Sequence, residues 1–211
     1  IRLGDTLLVE RAGDVIPYIV KSFPELRKGD ELEIEFPKEC PVCKTALIKP
    51  EEEAVWRCPN NQCEAQVVER MIHFTSKDAM DIRGLGDANI RKFHELGWLK
   101  DIPSIYQLPF DQLKTMEGFG AKSVQNMSEA IEKSKQQPLY RLINALGIRY
   151  VGETTAKTLA QSVSHLLDLS TMSTEQLQQI EDVGVKVAES IHQYFNIPSN
   201  IEMLRKLEEL G

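Results

Sequence analysis

Four cysteines offer the most distinctive chemistry in this sequence. They form two close pairs, Cys40 with Cys43 and Cys58 with Cys63, separated by a loop of fourteen residues. Each short pair can present two sulfurs from one turn, and Zn²⁺ prefers four thiolate ligands in a tetrahedron. We therefore predict one structural Zn²⁺ bound by all four cysteines, with no coordination position open for water or substrate.

Two disulfides or four free thiols are the alternatives for these cysteines. A cytosolic chain keeps its thiols reduced, which disfavours disulfides. A redox-active C-x-x-C pair would need a βαβ setting, and the sequence around residues 40–63 has no such pattern. A metal would instead hold together a segment too small to fold on its own.

Four similar turns recur further along the chain, and each contains a short glycine motif. They read Arg83-Gly-Leu-Gly86, Glu117-Gly-Phe-Gly120, Arg149-Tyr-Val-Gly152 and Glu181-Asp-Val-Gly184. The final glycines are 34, 32 and 32 residues apart. Each turn lies between segments with helical spacing of apolar residues, so the pattern predicts one helix-hairpin-helix unit used four times.

Such turns can bind phosphate. Glycine permits positive φ, which we expect at the hairpin glycines including Gly120, and it lets a phosphate approach the backbone. The unpaired amides of the next helix form an anion site. We predict sequence-independent contacts to the DNA backbone. The candidate residues are the hairpin glycines and nearby cations: Gly84, Gly86, Gly118, Gly120, Gly152, Gly184, Lys122, Arg149 and Lys186.

The first two hairpins are expected to dominate this binding. Tyr150 and Asp182 replace the first glycine in the third and fourth hairpins, and an aspartate would repel a phosphate. The alternative is that all these glycines are ordinary C-caps, which end a large share of helices.

The elements that would carry these groups follow from the hydropathy pattern. Residues 1–38 alternate apolar and polar side chains, as in Asp5–Glu10 and Glu31–Phe36, which is typical of β-strands. From about residue 64 the apolar spacing becomes helical. The pairs Ser173 with Gln176 and Ser199 with Glu202 predict helix N-termini. We expect a mainly α protein with three domains, at residues 1–38, 39–66 and 67–211.

Composition limits the function. The chain has 211 residues and a net charge of −7, so a DNA-binding surface would depend on local cations or backbone amides. No apolar run is long enough to cross a membrane, and a cytoplasmic location is expected. The sequence shows no P-loop, lysine nucleophile motif or carboxylate metal cluster, and the four histidines are scattered. We therefore predict no catalytic residue.

Two longer strings resemble a known family. They are Arg11-Ala-Gly-Asp-Val-Ile-Pro17 and Ala145-Leu-Gly-Ile-Arg-Tyr-Val-Gly-Glu-Thr-Thr155, and the four cysteines and the hairpins lie between and around them. In this order, these features look like the bacterial NAD-dependent DNA ligases. The resemblance covers essentially the whole chain. It implies that residues 1–38 are the C-terminal part of an OB-fold. Arg11 would then contact the DNA backbone, and Val15 and Ile16 would press into the minor groove. A core-packing role for Val15 and Ile16 is the alternative.

The resemblance also implies partners and cofactors. The parent enzyme would seal nicks in double-stranded DNA during replication and repair, using NAD and Mg²⁺ bound by domains outside this chain. Those domains would be an N-terminal adenylation domain and a C-terminal BRCT domain. The chain opens on Ile1 within a strand-rich segment, so we expect it to be a fragment of a longer protein. Without the adenylation domain the fragment should have no ligase activity. We expect the parent enzyme to act in the cytoplasm at the nucleoid. The alternative is a stand-alone, non-catalytic helix-hairpin-helix module of repair or recombination.

Overall fold

The computed structural model describes residues 1–12, 16–50 and 54–211, which form two units, Ile1–Asn60 and Asn61–Gly211. The first unit contains short antiparallel strands. They are β1 (Arg2–Leu3), β2 (Leu7–Ala12), β3 (Ile16–Ser22) and β4 (Leu32–Glu33), with a 3₁₀ helix at Pro24–Leu26. Strand β2 pairs with β3, and β1 pairs with β4. The predicted β segment is confirmed, although β4 is shorter than the alternation over residues 31–36 suggests.

An ion pair closes the turn between β1 and β2. The Asp5 side chain has 0% exposure and accepts hydrogen bonds from Arg27 Nε at 2.6 Å and Nη2 at 2.9 Å. This guanidinium holds the pKa of the Asp5 carboxyl well below its usual range. Most side chains of β3 are exposed, including Ile16 and Tyr18. A two-stranded ribbon of this kind has no core of its own.

The second unit is helical, and its helices are mostly short. They are α1 (Glu64–Thr75), α2 (Asp87–Glu95), α3 (Phe110–Leu113), α4 (Ala121–Ser134), α5 (Leu139–Ala145), α6 (Glu153–Ser162), α7 (Thr174–Leu177), α8 (Val185–Phe195) and α9 (Pro198–Glu209). Two 3₁₀ helices lie at Pro103–Gln107 and Leu166–Thr171. The predicted mainly α class is confirmed, with helix beginning at residue 64 as expected. No helix within the described ranges is long and apolar enough to cross a membrane.

The two predicted helix starts have different outcomes. Ser173 caps α7 in a capping box: its hydroxyl accepts from Gln176 N at 3.3 Å, and Gln176 Oε1 accepts from Ser173 N at 2.8 Å. The prediction at Ser199 is wrong, because α9 begins at Pro198 with Ile197 as its N-cap. The fixed φ of proline suits the first helical position, so the helix starts before the serine.

Two hydrophobic cores divide the four hairpins into pairs. The first core surrounds Met71, Phe74 and Phe93 and includes Leu85 of the first hairpin, with Phe119 of the second packed against it. The second core includes the central residues of the other two hairpins, Val151 and Val183. The helical unit therefore consists of two pairs of hairpins, and each pair has its own core.

Hydrogen bonds join helix α1 and the segment that follows it to helix α5. His73 Nε2 lies 2.8 Å from the Asn144 carbonyl oxygen, and Asn144 Nδ2 donates to the Asp78 carbonyl at 3.0 Å. Arg141 Nη1 donates to the Ala79 carbonyl at 2.7 Å. Since α1 contributes to the first core and α5 to the second, these bonds connect the two hairpin pairs.

Candidate metal centre and nucleic-acid interface

The four predicted metal ligands converge. The sulfur atoms of Cys40, Cys43, Cys58 and Cys63 all lie within 4.8 Å of one another. A tetrahedron of sulfurs about 2.3 Å from Zn²⁺ has edges of about 3.8 Å, so the group has the dimensions that the ion needs. The Sγ atoms of Cys43 and Cys58 are 3.5 Å apart, well beyond a disulfide bond of about 2.05 Å, and all four cysteines are free. The disulfide alternative is not what the structure contains.

Local backbone geometry presents the first cysteine pair. The Cys40 amide donates to the Thr45 carbonyl at 2.8 Å, and the Lys44 amide donates to the Cys40 carbonyl at 2.9 Å. Lys44 has φ of 60°, which lets the chain reverse within the turn. This tight turn points the sulfurs of Cys40 and Cys43 to the same side.

A short β-bridge brings the second cysteine pair to the first. Ile48 and Arg57 exchange two backbone hydrogen bonds, at 2.8 Å and 2.7 Å. Cys58 follows directly, and Cys63 is the N-cap of α1. Cys40 and Cys63 are buried, whereas Cys43 and Cys58 are half-buried.

The environment of the sulfurs favours a thiolate at Cys43 only. The Thr45 hydroxyl, 3.2 Å from Cys43 Sγ, lowers the pKa of that thiol, whereas burial raises the pKa of the Cys58 thiol. A divalent cation among the sulfurs would displace the remaining thiol protons and stabilise all four as thiolates. Thr45 was not among the predicted site residues, although its place two residues after Cys43 is a signal that could have identified it.

The four hairpins share one backbone design. In each, the amide of the central hydrophobic residue donates to the carbonyl three residues earlier, at 3.0–3.2 Å, in the pairs Leu85 to Ile82, Phe119 to Met116, Val151 to Ile148 and Val183 to Ile180. Counted from the residue whose carbonyl accepts this bond, the third residue of each turn has positive φ. These residues are Gly84 (95°), Gly118 (87°), Tyr150 (63°) and Asp182 (63°). This is the pattern of a type II β-turn, which favours glycine there. The predicted positive φ at the first glycine is thus confirmed.

The second glycine of each hairpin behaves differently. Gly86, Gly120, Gly152 and Gly184 are the N-caps of α2, α4, α6 and α8, with φ between −77° and −93°. The expectation of positive φ at Gly120 is wrong, because an N-cap residue adopts extended backbone angles. These glycines start helices, so the C-cap alternative fails for them. Apart from the adjacent residues, no atom in the described part of the chain lies within 4 Å of the position that a Cβ would occupy at any of the four.

The charged residues around the hairpins alternate along the chain, so that the third hairpin is like the first and the fourth is like the second. The first and third have an arginine in the turn, Arg83 and Arg149, and an acidic residue in the first turn of the next helix. The second and fourth have no acid in that first helical turn, and their second helical residues are Lys122 and Lys186. Each core therefore contains one hairpin of each kind: the first and second hairpins share one core, and the third and fourth share the other.

Acidic residues at the first and third hairpins are neutralised locally. Asp87 accepts from Arg91 at 2.5 Å, and Glu153 accepts from Lys157 at 2.6 Å. Lys122, Arg149 and Lys186 are exposed, as a contact with phosphate requires. The second hairpin combines two glycines, an exposed lysine and a first helical turn without acid.

Two residues that the resemblance placed against DNA lie on the strands of the first unit. Arg11, expected at the DNA backbone, is exposed on β2, and Ile16, expected at the minor groove, opens β3 with 69% exposure in this chain. Val15 lies outside the described residues.

Comparison with known proteins agrees with this geometry. Residues 39–65 match the NAD-dependent DNA ligase C4 zinc finger domain, and residues 141–204, which contain the third and fourth hairpins, match the helix-hairpin-helix motif. The chain is 58% identical over 211 residues to a DNA ligase of Persephonella marina and 50% identical over 211 residues to one of Aquifex aeolicus. All of this chain is covered in both cases, but it spans only about 30% of the length of these relatives. Over its whole length the chain is therefore similar to a segment of bacterial DNA ligases, and it carries the C4 zinc finger of the NAD-dependent family, as the resemblance predicted.

Proposed function

We propose that this chain is the DNA-binding part of an NAD-dependent DNA ligase and that it holds nicked duplex DNA through backbone contacts. The observation that carries the proposal is glycine at all four hairpin N-caps, where neither φ nor packing requires it. Serine, aspartate or asparagine would cap a helix at least as well. A ligand that approaches the backbone closely gives a reason for glycine that the fold does not.

The helix starts supply donors for such a ligand. In α4 the first helical hydrogen bond runs from the Val124 amide to the Gly120 carbonyl, so the amides of residues 121–123 have no partner within the helix. The N-cap residue of α2, α4, α6 and α8 is glycine, which has no side chain that could cap these amides. These amides lie at the positive end of the helix dipole, where a phosphate is stabilised.

The hairpins should contribute unequally. We rank the second first, because Lys122 adds a cation at the second helical residue and no acid lies in the first turn. Lys186 has the equivalent place at the fourth hairpin, but that turn contains two carboxylates, Glu181 and Asp182, where the second hairpin has Glu117 and glycine. The contacts at Gly84, Gly86, Gly118, Gly152, Gly184 and Arg149 belong to the same proposal.

The remaining assignments extend this proposal to the whole chain. Cys40, Cys43, Cys58 and Cys63 bind one structural Zn²⁺, supported by the convergence of their sulfurs. Arg11 contacts the DNA backbone, Val15 and Ile16 contact the minor groove, and the domains are residues 1–38, 39–66 and 67–211. Sealing needs NAD, Mg²⁺ and an adenylation domain, so this chain alone has no ligase activity.

A matched pair of variants tests the proposal. Gly120→Ser adds a side chain where a phosphate would approach, and its hydroxyl caps the helix amides internally. Its affinity for duplex DNA should fall about tenfold, since a hydrogen bond to a charged group contributes about 1.5–3 kcal/mol. Gly97→Ser is the control: Gly97 is exposed with φ of 73° outside the hairpins, and within the residues that the structure describes the added Cβ also meets no atom beyond its chain neighbours within 4 Å. It should lose stability but keep its affinity.

Binding is measured by fluorescence anisotropy with nicked duplex, intact duplex and single-stranded DNA of equal length. We expect duplex to bind more tightly than single strand, and unrelated sequences to bind alike. Equal affinity of Gly120→Ser and wild type on nicked duplex would refute the role of the hairpin.

A further inference from the structure

The third hairpin carries an exposed aromatic and cationic pair. The Cζ atom of Arg149 lies 4.6 Å from the centroid of the Tyr150 ring, which is within the range of a cation–π contact. Tyr150 is 49% exposed, and Arg149 is exposed as well. A large apolar ring and a planar cation are thus presented together on the outside of the protein.

The place of this ring in the turn is unusual. Tyr150 has φ of 63°, in the position that Gly84 and Gly118 occupy in the first two hairpins. A bulky side chain is disfavoured in that left-handed conformation, and glycine adopts it freely. The half-exposed ring is not anchored in a core in return, whereas the next residue, Val151, is buried. Glycine would suit this backbone conformation better, and the half-exposed ring is accessible to a ligand.

The ring is also close in sequence to the anion site proposed for this hairpin. Tyr150 is two residues before the N-cap Gly152, and the acidic Glu153 beside that cap is engaged by Lys157. A phosphate bound at the start of α6 would bring its own deoxyribose beside the turn. Sugar and phosphate groups accept contacts from tyrosine and arginine side chains in many protein–DNA interfaces.

We propose that Arg149 and Tyr150 form an additional DNA contact, in which the tyrosine ring packs against a deoxyribose while the guanidinium binds the adjacent phosphate. This inference rests on the proposed function and assigns the third hairpin a binding mode that the others lack. The first two hairpins have glycine in place of the ring, and the fourth has Asp182.

Tyr150→Gly and Asp182→Gly form a matched pair, because both residues have φ of 63° at equivalent turn positions. Each change should relieve backbone strain and raise the urea midpoint of unfolding. Their effects on binding should diverge. Tyr150→Gly should weaken duplex binding about fivefold, the lower end of what an aromatic contact with nucleic acid contributes. Asp182→Gly should bind as tightly as wild type or more tightly, since it removes a negative charge.

Two further variants separate the ring from the charge. Tyr150→Phe keeps the ring and should keep wild-type affinity. Arg149→Gln should flatten the dependence of log K on log salt by about one unit, whereas Tyr150→Gly should leave this slope unchanged because a neutral ring releases no counterion.

Wild-type affinity in Tyr150→Gly, with binding still lost in Gly120→Ser, would overturn this inference and leave the proposed function intact. Wild-type affinity in both Tyr150→Gly and Gly120→Ser would overturn the proposed function itself. A Tyr150→Gly protein that is less stable than wild type would show that the ring serves the fold, which also overturns the inference.

Discussion

Gly118 and Gly120 lie two residues apart in the second hairpin but have opposite backbone requirements. Gly118 has φ of 87° and Gly120 has φ of −77°, and a Cβ added to either would meet no atom of the other described residues within 4 Å, its chain neighbours aside. Only Gly118 is required by the backbone itself. One glycine therefore serves the fold, and the other is available for binding.

Stability measurements should separate the two glycines. Gly118→Ala should lower the free energy of unfolding by about 1–2 kcal/mol, because it forces an L-residue into the left-handed region. Gly120→Ser should be as stable as wild type or more stable, since serine is a favoured N-cap. Urea unfolding followed by circular dichroism measures both, and equal destabilisation by the two changes would contradict this division of roles.

The contrast between these glycines shows what the sequence could and could not predict. The repeat of the motif predicted the hairpins and the positive φ of the first glycine, because a type II turn needs it. The sequence alone did not distinguish the second glycine, because N-cap geometry depends on where each helix starts. Ser199 failed as an N-cap for a similar reason, since Pro198 begins α9 earlier.

Zinc removal should unfold the cysteine segment. Metal analysis of reduced protein should give about one zinc per chain by the four-ligand rule, and Cys43→Ser should lower that content. Because structural zinc contributes directly to folding, a strong chelator should remove the ordered structure of residues 39–65. A folded, reduced sample that contains no zinc would contradict the assignment.

The cysteines could be assigned from spacing alone, because ligand type and separation nearly determine a four-thiolate site. The contacts that support the cysteines could not be predicted from spacing. The bridge between Ile48 and Arg57 and the contact of Thr45 with Cys43 depend on the path of the loop between the pairs. The division of the hairpins into two cores also needed tertiary packing, which no single motif encodes.

The bond from Asn144 to Asp78 should matter for stability. Asn144 is 8% exposed, and Asn144→Ala would remove the donor to the Asp78 carbonyl. Losing this part-buried hydrogen bond should cost about 0.5–1.5 kcal/mol. The exposed Asn196 is the control, and Asn196→Ala should change stability by less than about 0.5 kcal/mol. Thermal unfolding that shows equal effects would mean that this link between the hairpin pairs contributes little.

The salt dependence of DNA binding tests the central claim most directly, because this chain has a net charge of −7 and must bind a polyanion. If neutral hairpin amides provide most contacts, few counterions are released on binding. With Arg11, Lys122, Arg149 and Lys186 as the charged phosphate contacts, log K against log salt should have a slope of roughly −3.6. Lys122→Ala should flatten it by about one unit. A wild-type slope of roughly −7 or steeper, as expected for eight or more charged contacts, would show that side-chain cations and not hairpin amides hold the DNA.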